Sequence, residues 1–527
     1  MTPASLISEL REAIGAERVL DDAATREYFS HDLFWHGKPP ACVVKPGDAE
    51  QVQAVVKLAA AAGVPLVPRG GGMSYTGGYV ANDETAILFD LSGMNRVLKI
   101  DEDNRYVTVE AGCTWAALHQ ALAERGLRTP YWGPLSGQRA SVGGTVSQNS
   151  VFFGTMRHGS AAETVLSVDV ILADGQRLQT GGAGRHQGVP FVRWGGPDLT
   201  GLFIGDTGAF GIKVAVTLRL ISPPQALDFG SYGFGDFASM IAAQIDLVRA
   251  GIGAETFGID AYKARNSAQT GRKLAEATKT ALGVLKSGKS LLSGLKDVAG
   301  MALAGTQDLE AAAYSMHLTV EGDEAADTER QLKKVEAIVL KRGGWVLPTV
   351  VPKAMRGRPF PALRSALGVD GQRWVPIHGI VPLGTIQAAV AEVEAMLSAR
   401  QAELDKMGVL YSPLTTNVPN GVLFEPCFYW YDKVTRLHVD ATELSDPPAE
   451  WAQRENRPDL REYVKGVWMD TSRILEKHGA INFQIGRAYP FLDTVSAPYA
   501  GLIEALKTTL DPQGRINPGA LGLPRRG

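Results

Sequence analysis

The chain has 527 residues, 45% of them apolar, with 53 Lys and Arg against 56 Asp and Glu. That length predicts two to four units at roughly 150 residues each, with ample material for a core, and the balanced charge gives no footing for nucleic-acid binding. The three cysteines, Cys42, Cys113 and Cys427, are far apart and lack CxxC spacing, so no disulfide framework or zinc site is readable and a reducing, cytoplasmic setting is expected.

The opening stretch MTPASLISELREAIGAERVL lacks the basic start and apolar run of a signal peptide and reads as a capped amphipathic helix. No stretch reaches about 18 uninterrupted apolar residues, so no membrane span is predicted. ACVVKPGDAEQVQAVVKLAAAAGVPLVPRGGG then reads strand, turn, helix, strand, glycine loop, with Val52, Val55, Val56 and Leu58 on one helical face. AILFDL, VLKID and YVTVEAG read as short strands, followed by a helix over 114–125 that closes at Gly126. VLSVDVILADGQRLQT predicts a hairpin turning at Asp174-Gly175. GIKVAVTLRLISPP is a further strand, stopped by Pro223-Pro224. Residues 40–223 thus read as a self-contained α+β unit.

Beyond the prolines, 225–262 and 311–345 again mix strands and helices. Between them, 263–310 is poor in aromatics; Lys263 to Lys296 carries eight basic residues against one acid, Glu276. Its apolar residues fall at helical spacing, which predicts either a solvated helical insertion or an element that meets a membrane surface or a partner. From 375 on, strands and helices return, ending in LDPQGRINPGALG, and no internal repeat stands out.

The run Gly70 to Gly78 packs five glycines beside Arg69, Ser74 and Thr76. Each glycine costs roughly 0.5–1 kcal/mol relative to alanine, so the loop needs positive φ angles or a ligand against bare backbone. No Lys-Ser/Thr follows at Walker A spacing, and strand rather than helix comes next, which excludes the Rossmann fingerprint. Successive backbone N–H groups suit a pyrophosphate. A second small-residue loop, Ala140 to Thr145, leads to Ser147, Asn149 and Arg157-His158-Gly159.

The ordered set PRGGGMSYTGG, SVGGTVSQN, RHGSAAETVLSVDVILADG, DTGAFGIKVAVTLRL and NPG resembles FAD-linked oxidases of the vanillyl-alcohol oxidase and p-cresol methylhydroxylase superfamily. The resemblance implies an α+β fold: an FAD-binding domain over 1–223 (core 40–223), a substrate cap over 225–480, and a segment 481–527 that returns to the FAD domain. It implies that Pro68, Arg69, Gly70, Gly71, Gly72, Met73, Ser74, Gly77 and Gly78 cradle the FAD pyrophosphate. Ser141, Gly143, Gly144, Ser147 and Asn149 would run along the flavin, with His158 and Gly159 beside it. Gly211 and Ile212 would meet the adenine side, and Asn517 would close over the cofactor. Met73 stands where some members carry a tethering histidine, so noncovalent FAD is expected.

For the substrate, hydroxy-acid members usually carry GHxGDGNLH and a later EHG that hold a metal; this chain has neither, and no metal is expected. His478 in EKHGAINF reads as a helix C-terminal histidine or as a ligand. RWVPIHGIVPLG and INFQIGRAYPFLD resemble the 4-alkylphenol branch, whose arginine stabilises a phenolate; the match falls on Arg487, with Tyr489 nearby. The implied reaction passes hydride from the carbon alpha to the ring of a para-substituted phenol to the flavin, with O2 or an electron carrier as final acceptor. Glu425 and His378 are candidates for acid–base work, and FYWY at 428–431 forms either an aromatic wall or core. The alternative is a dehydrogenase of a hydroxy acid, another alcohol or a lipid-like molecule. Homo-oligomers are expected from the family.

Overall fold

The computed structural model describes residues 3–265, 312–361, 367–368, 370–442 and 447–525, so most of the 263–310 insertion lies outside the described residues. The N-terminal half builds two sheets. In the first, strands Cys42–Val44, Ile87–Asp90 and Leu66–Arg69 run parallel in that spatial order, with Val19–Leu20 antiparallel at one edge. Helix Ala49–Ala62 makes the crossover: Asp48 accepts from Gln51 N–H at its start, left-handed Gly63 ends it, and Val52, Val55, Val56 and Ala59 are buried. The second sheet is antiparallel, in the order Val97–Asp101, Tyr106–Glu110, Ile212–Arg219, Val165–Ile171, Arg177–Gln179. Its last two strands are the expected hairpin, with Gly175 at φ 83°.

One local expectation differs. The stretch after Ala140 is not a loop but helix Val142–Gln148, capped by Ser141, whose Oγ accepts from Gly144 N–H at 3.2 Å. Two glycines argue against a helix. Here Gly143 is required because a Cβ would stand 2.6 Å from the Ala111 methyl.

The second half is dominated by an antiparallel sheet. Its order is Trp345–Val346, Ala226–Phe234, Tyr314–Gly322, Glu255–Asp260, Leu410–Val418, Gly421–Trp430, Arg373–Pro376, and Gly379–Pro382 also pairs with Gly421–Trp430. Side chains alternate across it. One face, with Met316, Leu318, Phe424, Phe428 and Trp430, packs under helices Phe237–Ala250, Ala325–Lys341, Ile386–Ala399 and Pro458–Lys477. The other face looks back at the glycine loops. The C-terminal segment crosses to the first sheet, where Leu66 N–H donates to Arg515 O at 2.9 Å and Asn517 N–H to Leu66 O at 2.7 Å. No described helix is long and apolar enough to cross a membrane.

Candidate active site

A cavity of about 790 Å³ lies between the two halves. Its floor is the end of strand Leu66–Arg69 and the glycine run behind it; Pro68, Arg69, Gly70, Gly71, Gly72, Met73, Ser74 and Gly78 all line it. Gly72 and Gly77 have φ of 68° and 69°, where a side chain is strained. Gly70 and Gly71 have a different reason: a Cβ on either would overlap Ser141 Oγ or Arg139 O of the facing segment. The loop is held from below by Asp32, whose carboxylate accepts from Phe34, Trp35 and Gly77 N–H at 2.7, 2.6 and 2.6 Å. Tyr79 Oη, shared between Gly72 O (2.7 Å) and Ser74 O (2.9 Å), pins its middle.

Arg69 supplies charge there. Its guanidinium stacks against Phe29 and Tyr79, 4.5 and 4.9 Å from their centroids, and its Nη1 is buried without a hydrogen-bond partner. A rigid cation with an unspent donor beneath bare backbone fits a diphosphate. Ser141, Gly143, Gly144, Ser147 and Gly211 line the same cavity. Beside Gly211, Lys213 donates to Asp206 at 2.6 Å in a fully buried pair.

The sequence placed other residues here that the structure does not. Gly77 lies behind the lining, on Asp32. Asn149 is the left-handed cap of helix Val142–Gln148 and accepts from Ala162 N–H. Ile212 is core beneath the first sheet. His158 and Gly159 turn away toward Arg128 and Glu163; burial, reinforced by the Arg128 charge, lowers the His158 pKa to about 4. Asn517 acts from outside, donating to Gly78 O and Thr207 O at 2.8 and 2.7 Å.

The opposite wall is the open face of the large sheet. Register places Phe257 beside Thr416 and Leu423, and Ile259 beside Leu414 and Glu425, with Cys427 and Tyr429 continuing the row and Trp374 at its flank. In FYWY, Tyr429 therefore faces the cavity, while Phe428 and Trp430 are core. Glu425 is the carboxylate on this wall. Its Oε1 lies 3.0 Å from His378 Nε2, which lies 2.6 Å from Tyr75 Oη. His378 Nδ1 is buried without a partner, so the ring proton belongs on Nε2, between the carboxylate and the phenol. Burial first, and then the Glu425 charge, hold the Tyr75 phenol well above its usual pKa and so neutral.

Tyr489 is buried outside the cavity, and its Oη accepts from His378 N–H at 2.7 Å; it positions His378. Arg487 is a correction. Its guanidinium donates to Gly77 O, to Asn517 Oδ1 (2.5 Å) and twice to Pro518 O (2.9 and 3.1 Å), and it does not line the cavity. The turn through left-handed Gln484 and Gly486 sends it back onto the glycine loop. It clasps that loop to the C-terminal segment. His478 pairs with Glu392 at 2.8 Å, far from the lining, as a helix C-terminal histidine. Sequence reasoning missed Tyr75, Asp32, Trp374 and Lys213 and saw Lys263 only as the start of a basic run; of the four missed, Tyr75, the aromatic inside the glycine run, carried a signal.

The comparisons agree with this geometry. Residues 40–181 match the family described as FAD binding domain. The chain therefore carries an FAD-binding domain, and its cofactor is FAD. The whole chain has the fold of p-cresol methylhydroxylase, solved with substrate bound: TM-score 0.74 at 17% identity, covering 99% of this chain and 97% of that one. Sequence relatives include a probable mitochondrial D-lactate dehydrogenase of Danio rerio, 32% identical over 249 residues, 47% of this chain and 48% of that protein. A D-2-hydroxyglutarate dehydrogenase of Xanthomonas citri pv. viticola is 33% identical over 225 residues, 42% of this chain and 46% of that protein. The chain thus spans about half the length of the curated relatives it matches.

Proposed function

We propose that this protein is an FAD-dependent oxidoreductase that oxidises a hydroxyl-bearing carbon of a substrate with an apolar body. The observation that carries the reading is the Tyr75–His378–Glu425 chain, set in an otherwise apolar wall facing the glycine cradle. Gly70–Ser74, Arg69 and Ser141–Ser147 would hold FAD, which would supply the acceptor for a hydride, two electrons with one proton. Glu425 takes the proton of the substrate hydroxyl, within reach of Oε1. His378 Nε2–H holds that carboxylate in place, and Tyr489 and Asn482 fix His378 through its backbone N–H and C=O. The wall of Leu414, Leu423, Phe257 and Trp374 excludes water and orients the apolar body. Relatives named for D-lactate and D-2-hydroxyglutarate support a hydroxy-acid substrate.

A para-substituted phenol is the second reading. The aromatic wall of Tyr75, Trp374, Tyr429 and Phe483 favours it, but it no longer has Arg487 as support. Anaerobic mixing of the holoenzyme with 2-hydroxy acids, benzylic alcohols and 4-alkylphenols tests both. Flavin bleaching by hydroxy acids or alcohols supports the first, bleaching by 4-alkylphenols alone replaces it with the second, and none removes both. FAD is proposed to be noncovalent, so acid precipitation should leave the yellow colour in the supernatant; colour in the pellet would refute this.

A further inference from the structure

Among the described lining residues, two cations stand outside ion pairs: Arg69, under the glycine loop, and Lys263, on the opposite side of the cavity. Lys263 follows strand Glu255–Asp260. Its Nζ donates to Ser412 O at 2.6 Å and to Ser412 Oγ at 2.8 Å, and sits 5.3 Å from the centroid of the Tyr429 ring. The neighbouring Asp260 does not touch Nζ directly: its Oδ1 accepts from Lys263 N–H (2.9 Å) and Ser412 Oγ–H (2.8 Å), so the Ser412 hydroxyl stands between the two charges. Among the described residues the ammonium thus touches only neutral partners, Ser412, the Tyr429 ring and the Cys427 thiol, in a mostly apolar wall. A charge so placed gains most from a ligand of opposite sign.

Register locates that ligand. Ser412 pairs with Cys427, and the next pair on the same face is Leu414 with Glu425, so the pair that holds Lys263 and the pair that holds Glu425 are one strand repeat apart, about 7 Å along the strand. A single positive charge with few donors to offer suits a carboxylate rather than a dianion, which would need several donors. We propose that Lys263 is the carboxylate subsite of this cavity, and that the substrate is an apolar-bodied organic acid whose carboxylate docks there while its hydroxyl-bearing carbon meets Glu425. The second half of that statement rests on the oxidation proposed above; the subsite itself does not.

The test is binding to the FAD-loaded protein, read as perturbation of the flavin spectrum and as a rise in Tm. The probes are 4-phenylbutanoate and its neutral counterpart 4-phenylbutanamide. Wild type should bind the acid at least tenfold more tightly than the amide. Lys263→Met should bring the acid down to the amide, with amide binding and FAD content unchanged, and Lys263→Arg should restore the preference. A preference that survives Lys263→Met, equal binding in wild type, or no binding of either probe overturns the subsite. If the preference depends on Lys263 while no hydroxy compound bleaches the flavin, the subsite stands and the oxidation falls.

Discussion

His378 Nε2 lies 3.0 Å from Glu425 Oε1 and 2.6 Å from Tyr75 Oη, joining the glycine loop to two strands of the large sheet. In the proposed oxidation Glu425 would be the general base, a role worth roughly 10²–10⁴ in rate. Glu425→Gln keeps the shape and loses the base. It should slow substrate-driven flavin reduction by about 10²-fold or more while FAD content and Tm stay near wild type; rapid reduction in this variant would remove Glu425 from the chemistry.

Gly71 has no room for a methyl group, because a Cβ would overlap Arg139 O, which is backbone and cannot swing aside. Gly71→Ala must separate the two cradle segments. The variant should purify with at least tenfold less FAD than wild type, by absorbance near 450 nm. Full flavin content would mean that the close approach is not what holds the cofactor.

Arg487 clasps Gly77, Asn517 and Pro518, and burial lowers its pKa to about 10, so it remains charged at neutral pH. Hydrogen bonds from a charged donor contribute about 1.5–3 kcal/mol. Arg487→Ala should cost at least about 2 kcal/mol of stability, seen as a lowered Tm and faster FAD loss. Its effect on a phenol and on that phenol's O-methyl ether should be equal. A selective loss for the phenol would return Arg487 to the substrate.

His31, His36 and His438 are stacked where the N-terminal segment meets the cap, with ring centroids 5.2 and 6.4 Å apart. Burial first, and then the neighbouring positive groups, lower His31 and His36 from 6.5 to about 4, and His438 further. Each is neutral when folded and takes up a proton on unfolding in that window. Their contribution is therefore present above pH 6.5 and is lost as pH falls toward 4, by about 1.4 kcal/mol per pH unit for each. Asp32 opposes one of them, since burial raises its pKa to about 6 and its protonation favours the fold at lower pH. His36→Phe keeps the ring and removes one titration, so Tm should fall less between pH 7 and pH 5 than in wild type. An unchanged fall would discount the cluster.

The glycine cradle was legible because part of its cause is local, the left-handed φ at Gly72 and Gly77, and because the close approach of Ser141 and Arg139 to Gly70 and Gly71 leaves its trace as glycine in the run itself. The strand alternation that sends Tyr429 to the cavity and Phe428 to the core is equally local. Arg487 was expected at the cavity and lies off its lining, because its type and position are readable in the sequence but its direction depends on the turn at Gly486. Tyr75 and His378 are 303 residues apart in the chain, and no spacing rule announces that they meet. Lys263 was visible only as part of a basic run, and its place at the cavity depends on Ser412, 149 residues further along the chain.

In the proposed reaction a hydroxyl-bearing carbon would give its hydrogen as hydride to FAD in this cavity, and its hydroxyl proton would pass to Glu425. The most direct measurement is stopped-flow absorbance near 450 nm under anaerobic conditions, with wild type and Glu425→Gln mixed in parallel with a set of 2-hydroxy acids and aryl carbinols. The account predicts bleaching of wild type by at least one of them and a rate lower by about 10²-fold or more in the variant. Bleaching at equal rates in both proteins, or no bleaching of wild type by any member of the set, would contradict it.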